Sequence, residues 1–426
     1  MDKDCAVRLT PRLMRGLLAW AVLTAWAPGL TRAQESQTPA PNAQRLTLAA
    51  ALDLAERQNL DLAAARAQRA VAQAGIRIAG QHPNPTAFFG AARDTPHESL
   101  FFDTPIELGS KRQRRIDVAK EETGATEMEI AALERQVRHE VRDAYFALAH
   151  ARGTTAQQAD VLKLAQRLHD IAQARFQAGD IAQLEVTQAD LEAARADADL
   201  QVAQQEEKVA LSDLNALMND APTTDWDLGD VLTAPLPEVT LDGLLVRAGA
   251  SNAEIARINQ EQKVQKSQTA LFKAERVPNL GVEFGVDFNS PGPGGYKEGA
   301  RGQLSMELPI FSRNQGEIAQ SLATERALDT ELSAIRRAND AKVESAYFDL
   351  VARRTEARVY HDSLLPASQK LEQMAEDSYQ SGKANILTVL SAQQEVHQVQ
   401  RQYLDSLLAV QSAFSALEEA VGAPLD

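Results

Sequence analysis

"ARFQAGDIAQLEVTQADLEAARA" (174–196) and "DSYQSGKANILTVLSAQQEVHQV" (377–399) are one element written twice, 203 residues apart. Phe176 answers Tyr379, Gly179 answers Gly382, Leu184 answers Leu387 and Val186 answers Val389. The correspondence runs upstream. Tyr145-Phe146 matches Tyr347-Phe348, "TPIELGSK" (104–111) stands where "LPIFSRNQ" (308–315) stands, and "LTLAAALDLAERQN" (46–59) matches "VTLDGLLVRAGASN" (239–252). A period near 200 residues is far longer than a solenoid repeat. It predicts a duplicated unit, residues 46–235 and 236–426, with the two copies side by side in one fold.

Long helices dominate each copy. From Ser110 to Phe176 there is no proline, and only Gly124 and Gly153 interrupt strong helix formers. Apolar or small residues recur every seventh position: Ile116, Thr123, Ile130, Val137, Ala144 and Ala151. The returning helix of the second copy has Val389, Val396, Tyr403, Val410 and Leu417, and beside them Ile386, Leu407, Phe414 and Val421. Seven-residue spacing is what helices need to supercoil left-handedly against neighbours. The stretch 110–177, about 68 residues at ~1.5 Å each, would reach ~100 Å. Flanking helices near 52–80 and 182–219 sum to a similar length. The second copy repeats this with 242–275, 313–381 and 384–421, so the expected helical hairpins are 110–219 and 313–422. Gly179 and Gly382 close them, glycine being suited to the left-handed position at a helix end.

Between the helices lie short alternating stretches. In "LGVEFGVDF" (280–288) Val282, Phe284, Val286 and Phe288 share one face, with Glu283 and Asp287 on the other. In "RGQLSMEL" (301–308) Leu304, Met306 and Leu308 oppose Arg301, Gln303, Ser305 and Glu307. In the first copy Leu100, Phe102, Thr104 and Ile106 oppose Phe101, Asp103 and Glu107. Strands are expected at about 84–93, 99–108, 280–289 and 300–308, each long enough to cross a bilayer when tilted. Four strands cannot close a membrane-spanning barrel alone, because an open edge in lipid leaves backbone groups unsatisfied. Either the sheet packs one face on helices in a soluble protein, or several chains each contribute four strands.

Residues 1–33 read as a secretory signal peptide: Arg8, Arg12 and Arg15, then an apolar run from Leu17 to Trp26, then Thr31-Arg32-Ala33 as a cleavage site. Residues 34–45 read as a flexible leader. The single cysteine, Cys5, precedes the apolar run, so no lipid-carrying cysteine, disulfide or thiolate metal site is expected in the mature chain. The formal net charge is −15. That excludes a basic nucleic-acid footprint. Histidines do not pair at helical spacing, and His97 beside Asp94 and Glu98 is the single place with metal-ligand character. No phosphate loop, nucleophile or paired-carboxylate constellation marks an enzyme, and no cofactor is expected.

These residues together resemble the TolC-type outer-membrane efflux channels, over the whole chain from about Leu46. The paired "F-x-A-G-x(4)-L-x-V" and "Y-x-S-G-x(4)-L-x-V" turns carry the resemblance. "PIELGSKRQRR" (105–115) after "HPNP" (82–85) is similar to the CzcC-like heavy-metal branch, whose pattern P-x-E-x-G-G-K-R has glycine where this chain has Ser110. The resemblance implies a mainly α protein with a small membrane β part. Long antiparallel coiled-coil helices would form an α-barrel, and four strands per chain would build a twelve-stranded barrel in a homotrimer. It implies an outer-membrane location in a Gram-negative bacterium, with a long periplasmic portion. It also implies lipid around the barrel, a periplasmic adaptor (membrane fusion protein) and, through it, an inner-membrane RND-type pump. The chain would then be a passive conduit for heavy-metal cations. A duct for drugs, solvents or type I secretion, and a non-pore periplasmic scaffold, are the competing readings. Arg175, Phe176, Gly179, Leu184, Tyr379, Gly382 and Leu387 would be adaptor-docking tips. Glu185, which matches the uncharged Thr388, would be a periplasmic gate residue. Asp103, Glu107, Glu283, Asp287, Arg301 and Glu307 would face the barrel lumen.

Overall fold

The computed structural model describes residues 44–93, 96–229, 232–288 and 298–425. The expected signal peptide and nearly all of the expected leader lie outside the described residues. The first copy contains β1 (Gln44–Leu46), α1 (Leu48–Gln58), α2 (Leu60–Ala79), β2 (Thr86–Ala91), β3 (Glu98–Ile106), α3 (Lys111–Ala178), α4 (Gln183–Leu217) and β4 (Trp226–Leu228). The second contains α5 (Leu241–Ser251), α6 (Ala253–Glu275), β5 (Leu280–Phe288), β6 (Glu298–Met306), α7 (Gln315–Val359), a π-helical turn (Tyr360–Leu364), α8 (Leu365–Gln380) and α9 (Ile386–Val421). The long first-copy helix has 68 residues, as the glycine and proline spacing predicts.

Three features differ from the sequence reading. First, the expected flanking helices 52–80 and 242–275 are each broken, at Asn59 and Asn252. Both asparagines cap the helix that follows: Asn59 Oδ1 accepts from Leu62 N–H at 3.0 Å, and Asn252 Oδ1 accepts from Ile255 N–H at 3.1 Å. Each also donates from Nδ2 to the last turn of its own copy's returning helix, Asn59 to Leu217 O at 3.0 Å and Asn252 to Ala420 O at 3.4 Å. The asparagine thus satisfies groups that a helix start and a helix end leave open.

Second, the second long helix is irregular. The copies are offset by 202 residues at Tyr145/Tyr347 and by 203 at Gly179/Gly382, so the second copy holds one extra residue between those marks. The π turn lies between them and absorbs it, since an i→i+5 turn takes one more residue than an α turn. Pro366 follows directly, and its ring would clash with the carbonyl four residues back in a regular helix. Third, β1 pairs in parallel with β4, Leu46 opposite Leu228, so Gln44 and Arg45 belong to a strand and not to the expected leader.

The copies meet along α3. Its C-terminal half packs against α4 and α9, and α2 and α6 run along its N-terminal half. The seven-residue pattern marks the burial of α9 better than that of α3: Ile386, Val389, Val396, Phe414, Leu417 and Val421 of α9 are buried, but of the α3 positions only Ile130 and Val137 are, with Ile116, Thr123, Ala144 and Ala151 half-buried. Tyr145 is fully buried and donates its hydroxyl to Leu46 O at 2.9 Å, fastening β1 to α3.

The two interior glycines of α3 sit where the second copy approaches. A Cβ on Gly153 would lie 3.3 Å from Leu404 of α9, and one on Gly124 only 2.5 Å from Gln260 Nε2 of α6. Buried Gln260 donates to Glu121 O at 2.8 Å, clamping α6 to α3. Gly75 of α2, by contrast, has open space around its missing Cβ. Gly75→Ala should therefore raise stability by about 1 kcal/mol through helix propensity. Gly124→Ala should lower it, because displacing Gln260 costs about 1–3 kcal/mol in a lost buried hydrogen bond. Thermal unfolding followed by circular dichroism checks both; a Gly124→Ala midpoint above wild type would refute the clamp.

Candidate functional site

The four longer strands form one antiparallel sheet in the order β2-β3-β5-β6, so the β3–β5 ladder joins the copies. Its register places Leu100 opposite Val286, Phe102 opposite Phe284 and Thr104 opposite Val282, with Leu304 opposite Val282 on the far side. Directly opposed residues share a face, so these side chains make one apolar surface. The rings of Phe102 and Phe284 stack with centroids 5.7 Å apart. Yet Phe89 is 72% exposed, Phe284 55% and Leu304 71%. Among the described residues no element covers this face. The outer strands β2 and β6 also have no second ladder partner among the described residues.

The opposite face is polar. Asp103 lies opposite Glu283, which lies opposite Gln303, and Asp287 opposite Ser99. Arg301 approaches Glu283 to 3.8 Å and its guanidinium sits 4.8 Å from the centre of the Phe101 ring. Between them is Gly285, where a Cβ would fall 2.4 Å from Phe101 Cδ1. The glycine lets the Phe101 ring lie across the strand. Sequence reasoning placed Phe101 on the polar face but missed this stack; an interior strand glycine is the signal, since it marks a close approach.

The six residues expected on the lumen side divide. Asp103, Glu283, Asp287 and Arg301 lie within strands, whereas Glu107 and Glu307 lie one residue past the ends of β3 and β6. Glu107 is bound to Arg115, with Nη2 to Oε2 at 2.9 Å. Arg115 also donates to Ala79 O at 3.4 Å and Gln81 O at 3.3 Å, while Arg112 donates to Gly80 O at 2.6 Å. The basic run thus caps the carbonyl end of α2 and pins the strand to the helices. Gly109 and Ser110 lead into α3 with φ of 75° and 61°. The serine departure therefore occupies a left-handed position, a conformation glycine adopts at little cost.

At the other end of the hairpins, Gly179 and Gly382 have φ of 81° and 71°, and a Cβ on either would meet nothing within 4 Å. The matched aromatics differ. Phe176 is 38% exposed, but Tyr379 is 2% exposed and packs with Leu168, Ala172, Val186 and Val389. Arg175 reaches across and places its guanidinium 4.8 Å from the Tyr379 ring centre, linking the two turns. Leu184 and Leu387 are exposed. Glu185 is half-buried in the first turn of α4, where an acidic side chain favours the helix dipole. Its counterpart Thr388 bonds to the capping Asn385 at 3.0 Å.

Among the described residues no group of three or more His, Cys, Asp or Glu is placed to hold a metal ion. Asp94, next to His97, lies outside them. No helix of the described residues is long and apolar enough to cross a membrane, which leaves the strands aside.

This architecture is that of the TolC-like channels. The crystal structure of the outer membrane protein VceC from Vibrio cholerae superposes with a TM-score of 0.70 at 17% identity, covering 89% of this chain and 97% of that one. A family profile described as "Outer membrane efflux protein" matches residues 51–220 and 244–423, and the chain belongs to that family. It is 26% identical over 387 residues to the cobalt-zinc-cadmium resistance protein CzcC of Cupriavidus metallidurans, covering 90% of this chain and 92% of that protein. It is 25% identical to the nickel-cobalt-cadmium resistance protein NccC of Alcaligenes xylosoxydans xylosoxydans, covering 80% and 77%. The pyoverdine export outer membrane protein OpmQ of Pseudomonas putida is 26% identical, with 87% and 84% covered.

The Arg115 hydrogen bond holds the Glu107 carboxyl below its ordinary range, against the opposing effect of burial. A carboxyl lowered on folding contributes stability above its unfolded pKa, and that contribution is lost as pH falls through the folded value. Glu107→Gln should cost about 1.5–3 kcal/mol at neutral pH, as for a hydrogen bond to a charged group. Its deficit against wild type should shrink as the solution is acidified below the usual glutamate range. Unfolding midpoints across that pH range check this; a deficit independent of pH would refute it.

Proposed function

We propose that the chain assembles as a homotrimer in the outer membrane of a Gram-negative bacterium and serves as the passive outer duct of a three-part heavy-metal efflux pump. The observation that carries this is the four-stranded sheet, whose apolar face is bare and whose two edges are unpaired among the described residues. In lipid an open edge is prohibitively costly, and threefold closure of β6 on the next chain's β2 removes every edge in a twelve-stranded barrel. The apolar face then meets lipid and the polar face lines the pore. Metal cations are the cargo favoured by the names of two relatives, the cobalt-zinc-cadmium and nickel-cobalt-cadmium resistance proteins, and by the "PIELGSKRQRR" segment. The OpmQ relative favours a second reading, export of a small organic molecule.

On the pore face, three carboxylates per chain (Asp103, Glu283 and Asp287) stand against Arg301, a balance that attracts cations. Three copies of Glu185 would form an acidic ring at the periplasmic gate. Energy comes from an inner-membrane RND-type pump, reached through a periplasmic adaptor that docks at the hairpin turns. Repeats 46–235 and 236–426 each supply one turn, so a trimer offers six.

Detergent-extracted mature protein should scatter light with a protein mass near three chains and, in planar bilayers, conduct with a cation preference that fades as salt screens the carboxylates. A water-soluble monomer absent from the outer-membrane fraction would remove the reading, and anion preference at low salt would remove the acidic lumen.

The unequal burial of the matched aromatics separates docking from packing. Phe176→Ala should leave trimer and membrane insertion intact while lowering cellular resistance to cobalt, zinc or cadmium, because an exposed aromatic is a natural interface anchor. Tyr379→Ala should destabilise the turn itself, by about 3–5 kcal/mol for a buried aromatic. Full resistance in the Phe176→Ala strain would show that this turn does not dock.

A further inference from the structure

Where the sheet meets the helices, the sign of the chain's charge reverses. The segments 80–85, 107–115, 275–279 and 307–314 hold six lysines and arginines against three glutamates, in a chain whose formal net charge is −15. They are knit together: Lys111 donates to Asn279 at 2.6 Å, Gly109 lies against Val277, and Asn314 donates to Glu275 at 3.0 Å. Several of these cations have structural work, Arg115 with Glu107 and Arg112 on Gly80 O. Arg276 and Arg313 do not form an ion pair among the described residues, and both are exposed. Arg313 is held by one nitrogen, Nε to Pro309 O at 3.0 Å.

Immediately beside them, just past the sheet's last rung, is a bare apolar run. After Leu304 and Met306 the chain turns tightly, Ile310 N–H donating to Leu308 O at 2.8 Å, and leaves Leu308 and Ile310 67% and 64% exposed and Phe311 94% exposed. A bare aromatic next to exposed guanidinium groups suits a membrane–water boundary, with the ring at headgroup level and the planar forks matched to phosphate oxygens.

We propose that Leu308, Ile310 and Phe311, with Arg276 and Arg313, form a docking collar for anionic glycerophospholipid in the leaflet nearest the helices. Acyl chains would lie on the apolar residues and phosphate on the arginines. The proposal rests on the reading that the sheet crosses the outer membrane, and adds which lipid it selects and where. Charge complementarity and continuity with the apolar sheet face choose the occupant. A second copy is disfavoured, because in a rotationally symmetric assembly the same cationic collar lies at the same level and would repel.

The test uses the detergent-extracted full chain, wild type against Arg276→Gln/Arg313→Gln and Phe311→Ser, in micelles doped with either phosphatidylglycerol or phosphatidylcholine. Bound lipid per chain is counted by mass spectrometry at low and high salt, with light scattering on the same samples. Wild type should prefer phosphatidylglycerol, the double variant should lose about fivefold of that preference per arginine, and salt should erase it. Phe311→Ser should weaken retention of both lipids alike. Equal phosphatidylglycerol binding by wild type and double variant would overturn the proposal. So would a Phe311→Ser chain that loses the trimer but keeps its lipid, since a second copy would then cover the collar. Absence of the wild type from the outer-membrane fraction is a separate readout, and would overturn the membrane reading and this proposal with it.

Discussion

The packing of α9 against α3, reinforced by that of α6 along α3 and by the β3–β5 ladder, makes one fold out of two copies. A helix of 68 residues presents far more apolar stripe than a single hairpin partner can bury. α4 and α9 cover its C-terminal half and α2 and α6 its N-terminal half, so the stripe is covered along its length. The places where α3 lacks a side chain, Gly124 and Gly153, are places where the second copy comes closest. Glycine costs helix propensity there, and that cost is offset by the approach it permits.

The same union decides the sheet. Each copy supplies a hairpin, and a lone two-stranded hairpin is marginal in water. Joined through β3 and β5, the four strands acquire a consistent apolar face and a consistent polar one. Gly285 of β5 is needed because Phe101 of β3 and Arg301 of β6 converge over it from either side, one from each copy. The basic run from Lys111 to Arg115 holds that sheet to the helices through the carbonyl end of α2 and through Glu107.

Duplication did not leave the copies equivalent. One extra residue in the second copy, taken up by the π turn and followed by Pro366, interrupts a helix whose counterpart runs unbroken. At the turns, matched aromatics have opposite fates, Tyr379 in the core and Phe176 toward solvent. The Arg175–Tyr379 contact joins the two turns, so the asymmetry is part of how they are held together.

The amino-acid sequence by itself determined the duplication, the glycine turns, the alternation of the strands and most element ends to within about two residues, the start of the first helix at Leu48 being four residues earlier than expected. These are local: helix propensity, seven-residue and two-residue periods and the left-handed preference of glycine act between near neighbours in the chain. Even the π turn was present in the sequence, as a change of offset from 202 to 203 between Tyr145 and Gly179. Only the tertiary structure decided that Asn59 and Asn252 break their helices, that Gln44 and Arg45 join a strand, and that Glu107 serves Arg115. It also decided which of Phe176 and Tyr379 is buried. Glu107 and Arg115 are only eight residues apart, across the turn from strand to helix; the other outcomes depend on a partner far along the chain, Leu217 for Asn59, Trp226 for Gln44 and Val186 for Tyr379, and no local period encodes which distant surface will arrive.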